Sequence, residues 1–400
     1  RNFGRRRGSV VNGKEKAMEM WKKTFAIFAS DKKIKWVVLI GFIGILLILF
    51  SEFFPQKTKI PQDAVSVSSD NETFCKQTEE KLYQSRTLDF YFKGMRIGVL
   101  DIETTGLNPA VNHFILGGLY SVPEGTLHQF FAETRAEEEE ALSGYLDILR
   151  DLDLVITYNG RHFDLPFVEK RWRRYSGASA ALPYNLDLYL VLNGHSPIKR
   201  FVPNLKQKTV ENYMGLWQSR DDEISGAESV ELYNVYEKNH DPALGEKILL
   251  HNSDDILQLS RLLPVIGKSD FHKAMAALGF PAGPLTVRKI SIGKDRLTIS
   301  GQQRTCRLDY MGFQFHDLAV QSRFSGKNAD FTLEVPLIRD SGLGILDLRA
   351  AGLDERTFEK YPGCSSGFLI VEKNSEKQHR ELNDFSKQFI DLFLRETGLV

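Results

Sequence analysis

The chain reads as an α/β protein: a mixed sheet flanked by helices at residues 88–266, between an N-terminal membrane-anchor helix and a β-rich accessory domain at 267–400. Three features carry this reading. An uncharged apolar run, Trp36–Phe50, stands alone near the N-terminus. From Arg96 onward, apolar runs of strand length give way to a helix-spaced pattern and then to another buried run, the alternation of an α/β sheet. After Pro281, strand-like runs return with turn residues between them.

Composition sets the bounds. Four hundred residues, 42% hydrophobic and 26% charged, suit a globular protein of two or three domains with a sizeable core. Lys plus Arg equals Asp plus Glu at 52 each, so only local clusters can speak for a polyanionic partner. Cys75, Cys306 and Cys364 lie far apart, which excludes a paired zinc-ligand spacing and a disulfide framework and fits a reducing compartment.

The first element is the anchor. Trp36–Phe50 would span about 22 Å as a helix, short for a bilayer, but it is apolar on every face and no small-residue cleavage site follows it. Residues 1–35 hold eleven Lys/Arg against three Asp/Glu, and residues 51–80 three against six. The positive-inside rule therefore leaves the N-terminus in the cytoplasm and sends the rest across the membrane. Residues 1–55 form the basic start and single-pass anchor, and 56–87 a Pro/Ser-rich linker.

Ile97–Ile102, Phe114–Val122 and His128–Thr134 suit three consecutive strands. Glu137–Asp151 places Leu142, Tyr145, Leu146 and Leu149 on one helical stripe, with acids in the first turn. Leu154–Thr157 is a buried strand and Phe163–Tyr175 a helix. Three antiparallel strands, a helix, a fourth strand and further helices give the order of a ribonuclease H-like sheet. Residues 184–266 read as mostly helical, Ala243–Leu263 most clearly. Strand-like runs at Leu285–Ile292, Arg296–Ser300, Phe331–Val335 and Ser366–Val371, then a helix at Lys377–Arg395, complete the chain.

Four acids recur in a set order through this region. Asp101 and Glu103, two apart on the first strand, project from the same face, and Thr104-Thr105-Gly106 ends that strand. Asp164 follows Asn159-Gly160 at the start of a helix, where a plain N-cap is the simpler reading. His251 and Asp255 lie one turn apart on the long helix, with Asp254 as the rival of Asp255; Ile256, Leu259 and Leu262 set the buried side and favour Asp255. Carboxylates gathered at one point repel one another and need cations, and hard oxygen ligands suit two Mg²⁺ or Mn²⁺ ions. The chemistry this predicts is metal-dependent phosphodiester hydrolysis, with His251 as base or water-positioner. Residues 161–208 add nine Lys/Arg against three acids, with Trp172, Tyr175 and Phe201 among them, a pattern for a nucleic-acid strand or for a solvated face. The expected contacts to nucleic acid are Thr104, Thr105, Asn159, Arg171, Arg173, Arg174 and Lys206. His162, His195 and Asp187 read as structural.

The motifs Asp101-Ile102-Glu103, Tyr158-Asn159-Gly160…Phe163-Asp164-Leu165-Pro166-Phe167 and His251…Asp255 resemble, in this order, the DEDD superfamily of 3′–5′ exonucleases, and its YprB-like ribonuclease H-like branch in particular, over residues 88–266. The resemblance implies two divalent metals held by Asp101, Glu103, Asp164 and Asp255. It departs at the base, since the family's tyrosine subgroup has Tyr four residues before the last Asp and its histidine subgroup has His five before it. His251 stands at the tyrosine spacing. Residues 31–82 resemble the N-terminal part of stage III sporulation protein AG. An enzyme for intracellular nucleic acid belongs in the cytoplasm, which the anchor contradicts, so the chain reads as a joined frame with Met95 as an internal start. A genuine membrane-anchored nuclease is the alternative to the joined frame; for function, the alternatives are a nucleic-acid-binding module of weak catalysis and a membrane-anchored sporulation protein with a nuclease-like passenger.

Overall fold

The computed structural model describes residues 86–122, 124–216 and 224–400, all within one compact unit, Ala64–Val400. The expected anchor at 36–50, the 31–82 resemblance and most of the linker lie outside the described residues. Among those described, no helix is long and apolar enough to cross a membrane.

A five-stranded sheet is built around β1 (Ile97–Thr104) in the order β3-β2-β1-β4-β5. Strands β2 (Phe114–Ser121) and β3 (Thr126–Phe131) run as antiparallel hairpins, whereas β4 (Leu154–Thr157) and β5 (Tyr184–Asp187) are parallel to β1. The described residues of 184–266 are mostly helical, as expected, except for β5, which no sequence pattern marked. It is four residues long and passes directly into the next helix, so it leaves no periodic signal of its own.

Alternation along β1 separates the two faces. Leu100 and Ile102 pack beneath α2 (Glu138–Arg150) and α3 (Asp164–Ser176). Ile97 and Val99 belong to the cluster on the opposite face, which Asp101 and Glu103 share by spacing. That face is covered by α4 (Leu188–His195), α5 (Gln207–Tyr213), α6 (Gly226–Asn239) and α7 (Pro242–Leu262). Their ends are well specified: Ser225 and Glu228 form a capping box on α6, and Asp241 caps α7 ahead of Pro242. Close packing of α7 on β2 depends on Gly118, since a Cβ there would lie 2.0 Å from Asn252 Oδ1 and 2.3 Å from Ile256 Cδ1.

Beyond α8 (Phe271–Leu278) the chain is β-rich as expected. A six-stranded sheet, in spatial order Phe280–Ala282, Leu285–Ile292, Arg296–Gln303, Asp330–Pro336, Gln321–Ser325 and Tyr310–Gly312, is followed by a smaller sheet of short strands between Ile338 and Lys377. The last helix, α9 (His379–Glu396), buries Phe385, Phe389 and Phe393. One apolar cluster runs without a break from Val99 and Ile156 through Phe271 and Phe280 to Phe393.

A short helix, α1 (Arg86–Phe92), stands at the expected boundary between the linker and the domain that begins at residue 88. Leu88, Tyr91 and Phe92 are buried, and Lys387 of α9 donates to the Phe90 and Tyr91 carbonyls at 2.5 and 3.0 Å. Met95 is partly buried against the same core.

Candidate active site

Strand β1 delivers its two carboxylates at a break. The β1–β2 register shifts between Glu103 and Thr104, so pairing ends as the side chains arrive. The turn that follows is braced from within: Thr104 Oγ1 donates to Gly106 O at 3.0 Å, and Thr105 Oγ1 accepts from His113 N at 2.8 Å. The expected nucleic-acid contacts Thr104 and Thr105 thus already serve this loop. It also carries Leu107 and Val111, 82% and 70% exposed, two apolar side chains that no sequence pattern marked.

Asp164 is the first residue of α3 and not its N-cap, a position held by Phe163. The preceding turn is clasped by Asp187, which is fully buried at the end of β5. Its carboxylate accepts from the backbone N–H groups of Asn159 and Arg161 at 2.9 and 3.0 Å and caps α4 through Leu190 N at 3.2 Å. Asn159 adopts a left-handed φ of 69°.

Helix α7 supplies the third group. His251 is buried, with Nε2 3.6 Å from Glu103 Oε1 and 3.7 Å from Asp255 Oδ2. Asp255 acts electrostatically on both Asp101 and Glu103. Asp254 is the more deeply buried of the pair, so facing distinguishes the two and depth does not. Asn252, which sequence reasoning missed, donates from Nδ2 to Asp101 Oδ2 at 3.2 Å and to Asp101 O at 3.3 Å, and its own Oδ1 accepts from Gln129 at 3.1 Å. A signal existed, because Ile248, Asn252 and Ile256 share one buried stripe and Asn252 is its polar member.

The electrostatics follow from crowding. Burial, then the charges of Asp164, Asp255 and Glu103, raises Asp101 well above the usual carboxylate range, against the Asn252 hydrogen bond. Burial also pushes Glu103 up to about 7, with His251 pulling it down and Asp255 up. Asp164 likewise rises to about 7 through burial, opposed by its own backbone N–H and that of Ile102. Such a set binds cations or protons. Among the described residues, no group of three or more His, Cys, Asp or Glu side chains closes to coordination distance. The chemistry of the donors nevertheless fits a hard divalent ion: oxygen ligands, mutual repulsion and low exposure.

The basic stretch is not gathered here. Arg171 is buried, so its expected contact with nucleic acid is corrected. Its Nε donates to Glu138 Oε1 at 2.6 Å, its Nη2 to Oε2, and its Nη1 to Pro109 O at 3.1 Å. Trp172 packs on the core and the Tyr175 hydroxyl bonds Glu138. Arg173 and Arg174 line a groove of about 680 Å³ with Arg161, Lys170 and Leu182. At about 100° per residue, this side of α3 faces away from Asp164. Lys206 lies closer, since its neighbour Gln207 donates to the Asp255 carbonyl at 2.9 Å.

Sheet order and carboxylate placement together define a ribonuclease H-like α/β domain. Residues 99–266 match the family RNase_H_2 of the RNase_H superfamily. No curated protein sequence matches the chain. Among solved structures, the chain is similar to the family B DNA polymerase of the hyperthermophilic archaeon Pyrobaculum calidifontis, at 21% identity over 46% of this chain and 26% of that one, TM-score 0.37. It is also similar to Brucella melitensis NrnC bound to pGG (18% identity, 48% and 90% of the two chains, TM-score 0.25). A third is E. coli Exonuclease I in complex with a dT13 oligonucleotide (14% identity, 75% and 70%, TM-score 0.26). The chain thus spans about a quarter of the polymerase's length. The superfamily supports a nuclease in general.

Proposed function

We propose that this domain is a metal-dependent phosphodiester hydrolase, acting as a 3′–5′ exonuclease on DNA or RNA. What supports the reading is the mutual electrostatic influence of Asp101, Glu103, Asp164 and Asp255, with His251 between Glu103 and Asp255, in a domain that matches the ribonuclease H superfamily. The 3′–5′ polarity rests on the motif resemblance alone.

Two divalent ions held by these four carboxylates would supply Lewis-acid polarisation of the phosphate and make a water nucleophilic at neutral pH. The protein's own part is positional. Asn252 fixes the Asp101 carboxylate, and Asp187 fixes the turn that presents Asp164. His251 Nε2, between Glu103 and Asp255, is placed to orient the attacking water or take its proton as the new P–O bond forms and the bond to the 3′ oxygen breaks. The exposed Leu107 and Val111 offer an apolar edge to a base beside the site.

The test is a time course with the full chain on 5′-labelled single-stranded DNA and RNA, in Mn²⁺ and in EDTA, beside Asp101→Ala. We expect a ladder shortening from the 3′ end in Mn²⁺, and none in EDTA or from the variant. Cleavage undiminished in Asp101→Ala rejects the assignment, and binding in EDTA without cleavage in Mn²⁺ favours the binding-module alternative.

A further inference from the structure

Two hydroxyls beside the carboxylates stand buried and unused. Ser229 of α6 and Tyr145 of α2 are both 0% exposed; neither hydroxyl closes a hydrogen bond of full geometry among the described residues, although that of Ser229 is already close enough to Glu103 to favour its charged form. Buried hydroxyls are nearly always bonded, and an unsatisfied one destabilises where alanine or phenylalanine would not.

Their placement is specific. Ser229 lies on the buried stripe of α6 with Tyr233 and Tyr236, and its hydroxyl acts on Glu103, favouring the charged carboxylate. Tyr145 approaches from the other face of the sheet. Its ring packs beside Phe114 and Phe130, centroids 5.7 and 5.9 Å away, and over Gly117, where a Cβ would come within 2.8 Å of the ring. Gly117 pairs with Ile102, the residue between Asp101 and Glu103. The phenol is thereby within electrostatic reach of Asp164 and Asp101.

We propose that Ser229 and Tyr145 are positioning residues, their hydroxyls donating to Glu103 and Asp164 when the carboxylates turn to hold divalent cations. This rests on the nuclease reading above. A carboxylate that gives one oxygen to a cation is oriented by a donor on its other oxygen, and such outer partners matter to both affinity and rate. Core packing accounts for the Tyr145 ring and for a small side chain at Ser229, and leaves the two hydroxyls unexplained.

The experiment uses the full chain as wild type, Tyr145→Phe, Ser229→Ala and Asp101→Asn, with three readouts: thermal midpoint in EDTA, Mn²⁺ affinity by calorimetry, and kcat and KM on an oligonucleotide. Each hydroxyl deletion should leave the EDTA midpoint unchanged or higher, weaken Mn²⁺ binding roughly 10- to 100-fold, and lower kcat with KM unchanged. A midpoint that falls in EDTA marks the hydroxyl as structural and overturns its role, as does wild-type Mn²⁺ affinity in the variant. A wild type that neither binds Mn²⁺ nor cleaves removes the nuclease reading and this inference with it. A wild type that does both, matched by the two deletions, removes this inference alone.

Discussion

Glu138 shows how one residue settles what a charge run means. Burial alone would push its carboxyl up, but Arg171, the Tyr175 hydroxyl and the Phe114 N–H together hold it below its ordinary value. His113 Nδ1 joins them, 2.8 Å from Oε2. The pair ties α2 and α3 to the loop that leaves Glu103, through Pro109 and His113. Arg171 looked like a phosphate contact because its neighbours are basic; its partner lies 33 residues earlier, where no local pattern could show it. Removing one member of a buried ion pair strands the other, so Glu138→Gln should cost about 3–5 kcal/mol in urea unfolding. A loss below about 1 kcal/mol would mean that Arg171 finds other partners.

At the scale of the element, β1 was the legible part. Period-two spacing put Asp101 and Glu103 on one face, and the turn residues marked where the strand ends. The helices that face the carboxylates were legible as helices, but their polar members were not legible as parts of a site. Asn252 sits in an apolar stripe, where sequence alone does not distinguish a tolerated amide from one aimed at Asp101. Nor could the sequence show that Gly118, opposite Asp101 in the β1–β2 register, is the position on which α7 rests. Gly118→Ala should force α7 outward. We expect a loss of about 1–3 kcal/mol from overpacking and a fall in Mn²⁺-dependent cleavage on the order of tenfold as Asn252 leaves Asp101. Denaturant midpoint and initial rate measure the two separately, and a fully active, fully stable variant contradicts the packing described.

Across the whole molecule, the described chain is fastened near its two ends. Asn383 of α9 donates from Nδ2 to the Tyr91 hydroxyl at 2.7 Å and to His272 O at 2.8 Å, and Tyr91 OH lies 2.8 Å from His272 Nδ1. With its oxygen accepting from Asn383, Tyr91 donates its O–H to Nδ1, which must then be unprotonated. Burial, aided by Arg380, accordingly pushes His272 down to about 4. The unfolded chain therefore binds more protons between about pH 6.5 and 4. This contribution to stability is complete above 6.5 and is lost as pH falls through that window. Urea midpoints of wild type and His272→Asn should diverge at neutral pH and draw together toward pH 4; parallel curves refute the linkage. Lys387, pushed down to about 8 by burial beneath α1, belongs to the same fastening.

The bond from Asn383 back to Tyr91 spans 292 positions of sequence. During synthesis, α1 is therefore made early and waits for its cover until α9 has left the ribosome. The carboxylate-bearing sheet can assemble before then, with its floor near Tyr91 and Phe280 still open to chaperones, proteases or premature self-association. A ribosome stalled short of residue 383 would release the carboxylate-bearing domain with its underside bare.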